Sequence, residues 1–191
     1  MTHKSIALLV SLMFYFVVFA QQQSISTSKP TQYEIKKLCL EATKTAIQLE
    51  IANYQRWIDV RKQQNAPAEA AEFQKTLDSL KIELETYQKM PIDKYTLPEG
   101  KQAPQDFFSQ NFARERITTT AWVESNAQNN TILHVEGMSK SGPWYHLVGI
   151  LGNDYTQLKP NTKYRITFYT VYKRNYWNMP SAYVCITSIQ K

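Results

Sequence analysis

Histidine, glycine and cysteine are scarce in this 191-residue chain, with three, five and two residues respectively, and each scarcity closes a route to chemistry. The few glycines form neither a P-loop nor a dinucleotide fingerprint, so no backbone cradle for phosphates is expected. The two cysteines, Cys39 and Cys185, are too far apart in sequence for a CxxC redox motif. GxSxG and HExxH are also missing. Apart from His3, the histidines are His134 and His146, expected on neighbouring strands, with Glu136 on the same side of its strand as His134. Such a set would be the start of a metal site, but two strand histidines are more simply read as partly exposed packing residues. Glu124 and Asp154 lack any spacing that marks a glycosidase pair. The sequence therefore predicts a protein that is not an enzyme and holds no cofactor or metal.

What is present begins with an address. Lys4 is followed by an apolar run from Ile6 to Ala20 broken only by Ser11, and Val18-Phe19-Ala20 offers small residues where a signal peptidase reads. A run of fifteen is short against the roughly 20 residues that span a bilayer. Residues 1–20 are thus expected to be a cleaved signal peptide, which places the protein in a secreted or periplasmic setting; the alternative is an uncleaved membrane anchor. No cysteine near Ala20 supports a lipid-modified start. Cleavage removes one lysine from a formal net charge of +6, leaving a mild basic excess that suits an anionic surface but is more often solubilising.

Residues 21–30 are polar and read as a tether. Helix is expected from Thr31-Gln32-Tyr33-Glu34, whose T-x-x-E spacing is that of a capping box. Asn65-Ala66-Pro67 divides a first helix from a second, with Asn65 as the expected N-cap, and Met90-Pro91 ends the second. In the second helix Ala70, Phe73, Leu77, Leu80, Leu84 and Tyr87 recur at steps of three and four, a coiled-coil-like seam that packs on the first helix to make an antiparallel hairpin over 31–90. The first helix has two apolar stripes. Leu40, Ile47, Ile51, Tyr54 and Ile58 form one; Ile35, Ala42, Ala46, Leu49, Trp57 and Val60 form another, roughly 135° away. One helix cannot cover both, so the second stripe must bury against the C-terminal part of the chain or against another protomer or protein.

Residues 91–112 read as an extended connector over the surface. Beyond it, in 113–191, the period changes to two, and strands are expected at 117–124, 131–138, 144–151, 163–173 and 182–189. The fold expected is α+β: a helical hairpin followed by a small antiparallel β-sandwich or partial jelly roll. In the fourth strand Tyr164, Ile166 and Phe168 point to one side as core, and Arg165, Thr167 and Tyr169 to the other. That strand then runs into Arg174-Asn175-Tyr176-Trp177-Asn178, expected as a loop. Ring faces there would cover the apolar side of a sugar while Arg174, Asn175 and Asn178 hydrogen-bond its hydroxyls. The opposing reading has Tyr176 and Trp177 folded back to plug the end of the sandwich. Trp144-Tyr145, where a strand begins at once, is read as packing.

Leu133 and Val135, then Trp144, then Leu158, Pro160, Thr162 and Tyr164 leading into a core strand follow one another in an order that resembles the middle of a galactose-binding-like jelly roll, the fold of many carbohydrate-binding modules. The resemblance covers about eighty residues of this chain. It implies a β-sandwich that binds polysaccharide. The L-x-P-x-T-x-Y element is also similar to the fibronectin type III corner, in which the Tyr hydroxyl pins the chain. The strands that would complete a jelly roll do not follow before Lys191.

The even cysteine count in an exported chain favours a Cys39–Cys185 disulfide over two separately buried thiols. Such a bridge would contribute on the order of 4–5 kcal/mol in the chain-entropy model. The function expected is a noncatalytic module binding carbohydrate or a cell-envelope polymer through Trp177, Tyr176, Arg174, Asn175 and Asn178. The alternative is an envelope assembly protein acting through the two-faced helix, with a structural β domain and a second protomer or another protein as partner. Export disfavours nucleic acid.

Overall fold

The computed structural model describes residues 29–97, 116–125, 131–137, 144–176 and 179–190. Residues 1–28, and with them the expected signal peptide and most of the tether, lie outside that set. Among the described residues no helix is long and apolar enough to cross a membrane.

Helix α1 (Gln32–Gln63) starts on the capping box: the Thr31 hydroxyl accepts the Glu34 N–H at 3.2 Å, and Glu34 Oε2 accepts the Thr31 N–H at 2.7 Å. Asn65 does not cap the next helix. It takes a positive φ of 56°, a conformation Asn tolerates, and so turns the chain after α1. Ala66 is the N-cap of α2 (Pro67–Gln88), without a side-chain bond, and Pro67 opens the helix with its fixed φ. The six seam residues of α2 are all buried or half-buried, and they meet the Leu40–Ile58 stripe of α1.

The five strands are β1 (Arg116–Ser125), β2 (Thr131–Val135), β3 (Trp144–Ile150), β4 (Tyr164–Tyr176) and β5 (Met179–Gln190). They form one closed barrel in the order β1-β2-β3-β5-β4, not the two-sheet sandwich or partial jelly roll expected from sequence. Closure depends on β1. Its first half pairs with β4 and its second half with β2, and Ala121 lies opposite both Tyr164 and Val135. A side chain of one methyl group, fully buried, lets the strand bend there without crowding the interior. The arrangement is not wholly antiparallel either. The β4–β5 hairpin brings β5 back between β4 and β3, so β5 runs parallel to β3. Register shifts between Leu147 and Gly149 of β3, and at Thr167/Phe168 and Thr170/Tyr172 of β4, add the local twist that a small barrel needs.

Inside the barrel, alternate residues such as Val123, Leu133, Tyr145, Ile166, Phe168 and Val184 form the core. Tyr164, as expected, points inward, and its hydroxyl accepts the Lys159 N–H at 3.2 Å, pinning the turn before β4. A second core lies on the outside of β4 and β5. There Tyr169, Val171, Tyr183 and Cys185 meet Cys39, Ala42 and Ala46 of α1. Strands β4 and β5 are therefore buried on both faces, which explains their long stretches without exposed residues.

This second core resolves the two stripes of α1. The N-terminal part of the second stripe is covered by the chain's own barrel. Gly149 allows the approach, since a Cβ there would stand 3.1 Å from Leu38 Cδ1 and 3.6 Å from Ala42 Cβ. Among the described residues, the far end of the hairpin packs on itself, through Ile58, Ala70 and Leu77 with Tyr54 and Phe73 around them. Trp57 sits against Tyr54 and Phe73, while Leu49 and Val60 of the same stripe stay exposed at 39% and 40%.

The connector is not a surface run throughout. After a 3-10 turn at Ile92–Lys94, Tyr95 is buried against α1, its hydroxyl 3.0 Å from Thr43 Oγ1 and 3.4 Å from the Cys39 carbonyl that accepts from it. Residues 98–115 lie outside the described set.

Candidate ligand-binding face

The segment expected to be a binding loop is mostly strand. Arg174, Asn175 and Tyr176 pair with Ser181, Pro180 and Met179, so β4 and β5 continue until only Trp177 and Asn178 remain between them. The alternation of β4 breaks at the register shift near Thr170, which is why the sequence period fades before the strand ends. Trp177 and Asn178 fall outside the described residues, as do the side chains of Arg174, Asn175 and Tyr176.

A different set of rings comes together on the barrel exterior. Because Ala121, Val123, Leu133 and Tyr145 point inward, their neighbours Trp122, Glu124, His134 and Trp144 point outward. Trp122 pairs with His134 across β1 and β2, and the two rings lie nearly parallel, 17° apart in plane and 5.5 Å between centroids. Ile132 pairs with His146 and Leu133 with Tyr145; the same antiparallel register carried one step further sets Trp144 across from His134. Trp122, His134 and Trp144 thus make one row over three strands, about 10 Å from end to end at ordinary strand spacing. All three are half-buried.

Glu124 completes the group. Its carboxylate oxygen Oε2 is 2.9 Å from His134 Nε2, at ion-pair distance, while Nε2 is shielded from water and not aligned for a hydrogen bond with it. The carboxylate is largely exposed. Glu136, which shares a side with His134 in the sequence pattern, turns instead to Lys163. That ammonium, by hydrogen bond and charge, holds the Glu136 carboxyl below its ordinary range. His146 belongs to the next row, against Tyr183 at 5.4 Å. Among the described residues no group of three or more His, Cys, Asp or Glu side chains is placed to share a metal ion.

Helix α1 lies across β3, β4 and β5. Among the described residues, helix therefore covers the outside of the barrel at β3, β4 and β5 more than at β1 and β2. At the covered side, Tyr183 donates a 2.6 Å hydrogen bond to the buried carboxylate of Glu50, and Tyr172 donates one of 2.8 Å to Glu83 of α2. Burial, and then the bond to Glu83, push the Tyr172 phenol well above its usual pKa. At the other side stands the Trp122–His134–Trp144 row. Sequence reasoning passed over Trp122 and took Trp144 for packing. The alternation that identifies their inward neighbours also turns these two rings outward, but only the pairing of β1, β2 and β3 puts them in one row.

Cys39 and Cys185 are not joined by a disulfide: both are free thiols, wholly buried, with their sulfurs 3.3 Å apart. They are not two separately buried thiols either, because α1 docks onto β5 at this point.

Fold and face together define a small closed β-barrel carrying a helical hairpin on one side and an aromatic row on the other. No family model, curated protein or solved structure matches the chain.

Proposed function

We propose that this is an exported, noncatalytic binding module for carbohydrate or a related cell-envelope polymer, and that the outer face of β1, β2 and the start of β3 receives the ligand. The observation that carries the reading is the row of three ring side chains, Trp122, His134 and Trp144, beside the exposed carboxylate of Glu124 on the side away from α1. Rings suit the apolar C–H face of a sugar, and the exposed carboxylate of Glu124 offers an acceptor to its hydroxyls. A polyanion such as nucleic acid would meet the Glu124 carboxylate beside the row. Five-stranded Greek-key barrels of the OB type use the outer face of their second and third strands, with the loops between strands 1 and 2 and strands 4 and 5, for oligosaccharides or oligonucleotides. The strand number and closure here are of that kind. On this reading the galactose-binding-like resemblance points to the same ligand class through a different fold. Export rests on the apolar run from Ile6 to Ala20.

The test is retention of the protein on a panel of insoluble polysaccharides and wall polymers. Trp122→Ala and Trp144→Ala should each weaken binding about tenfold, equivalent to roughly 1.4 kcal/mol. Retention of wild type by none of the polymers would refute the function. Loss confined to Trp177→Ala would move the site to the hairpin tip expected from sequence.

One observation favours a second reading, an assembly role for α1: Leu49 and Val60 lie exposed on the stripe that the barrel leaves uncovered. Sedimentation of wild type against a Leu49→Ser/Val60→Ser variant tests it, a monomer in both cases excluding self-association through this stripe.

A further inference from the structure

The thiols of Cys39 and Cys185 meet where the hairpin joins the barrel. Their neighbourhood is built from small or fixed groups. Ala42 and Gly149 leave room for close approach, and a Cβ on Gly149 would be 3.4 Å from that of Cys185. On the helix side, the Cys39 carbonyl accepts from Thr43 Oγ1 at 2.8 Å and from the Tyr95 hydroxyl at 3.4 Å, which fixes the turn that carries the sulfur. The chain has no third cysteine to compete. The two positions are 146 residues apart in sequence, so a bond between them would tie the first helix to the last strand.

We propose that Cys39 and Cys185 form an intramolecular disulfide that locks the helical hairpin onto the barrel, and that it forms before α1 has closed over β5. The second half follows from burial. Neither sulfur is exposed once α1 is docked, and burial, with the bond to Cys39, pushes the Cys185 thiol well above its ordinary pKa, so little thiolate is present to react. The oxidant is a disulfide, carried by a small thiol or an oxidised dithiol protein. One cysteine thiolate attacks a sulfur of that disulfide, giving a mixed disulfide and releasing one thiol. The second cysteine then attacks the first cysteine's sulfur, closing the Cys39–Cys185 bond and releasing the other thiol. Two electrons pass from the protein sulfurs to the oxidant, and the two protons go to the departing thiols.

The experiment uses the full wild-type chain and glutathione disulfide with reduced glutathione. Reduced protein is exposed to the mixture in two arms, one refolding from denaturant and one already folded. Free thiols are then alkylated, and intact mass with non-reducing peptide mapping reads the product. The expected result is one Cys39–Cys185 peptide in the refolding arm and oxidation at least tenfold slower in the folded arm. Doubly alkylated protein, glutathione adducts or disulfide-linked dimers as the main refolded product would overturn the bridge, and equal rates in both arms would overturn the order. Bridged protein should also show a higher urea midpoint than the same protein reduced, and coincident midpoints would refute the lock.

Discussion

Replacing Tyr183 by Phe tests the joint between hairpin and barrel at its most polar point. The ring stays, so packing against α1 is nearly conserved, and what goes is the hydroxyl that donates to Glu50 at 2.6 Å. Both residues are only 3% exposed, so water does not readily replace the lost donor. Asn53 Nδ2 also donates to Glu50, at a longer 3.3 Å. A hydrogen bond to a charged group contributes about 1.5–3 kcal/mol, and burial of the acceptor favours the upper part of that range. With a urea dependence of about 1–3 kcal/mol per molar, the unfolding midpoint should fall by about 1 M. Equilibrium urea unfolding followed by tryptophan fluorescence and far-UV circular dichroism measures it. Glu50→Gln keeps an acceptor for the phenol while removing the charge, so Tyr183→Phe should cost less in that background, with a coupling of about 1–2 kcal/mol. A loss below about 0.5 kcal/mol with no coupling would mean that Glu50 is solvated and that α1 does not close on β5 as described.

Gly149→Val should overpack the same joint and cost about 1–3 kcal/mol, with part of the loss recovered by Leu38→Ala because Leu38 Cδ1 is the nearest atom to the added carbon; no recovery in the double variant would refute the assigned contact. Thr31→Ala should destabilise α1 by about 1 kcal/mol at neutral pH. Its Glu34 partner has a carboxyl held below the ordinary range by the Thr31 backbone N–H, which the variant keeps, and by the Thr31 hydroxyl, which it loses. That contribution is present above the unfolded carboxylate pKa of about 4.3 and is lost as pH falls through the lower folded value, so the difference between wild type and variant should narrow in acid urea titrations. For Tyr172 the sign is opposite: its folded pKa is raised, so its contribution is complete below about pH 10 and is lost as pH rises from there toward the folded value. Tyr172→Phe should therefore flatten the alkaline fall in urea midpoint, and an unchanged slope would refute the assignment.

Local chemistry makes several features legible in the sequence alone. Thr31 and Glu34 are one helical turn apart, so their mutual capping depends on nothing beyond that turn. The α2 seam is similar, since residues at steps of three and four share a face whatever the partner is. The second stripe of α1 announced a second burial surface, and alternation through Tyr164, Ile166 and Phe168 separated the inside of β4 from the outside. What alternation does not contain is the shape the sheet takes. The same inward residues serve a sandwich or a barrel, and the choice lies in long-range register: Ala121 opposite two strands at once, β5 inserted beside β3, and bulges that bend the ladder. The Trp122–His134–Trp144 row and the meeting of Cys39 with Cys185 depend on that closure for the same reason. Each residue declares its own side of a strand or helix through its near neighbours, but which side chains then share a surface is set by pairing between segments as far apart as 146 residues, where no local period reaches.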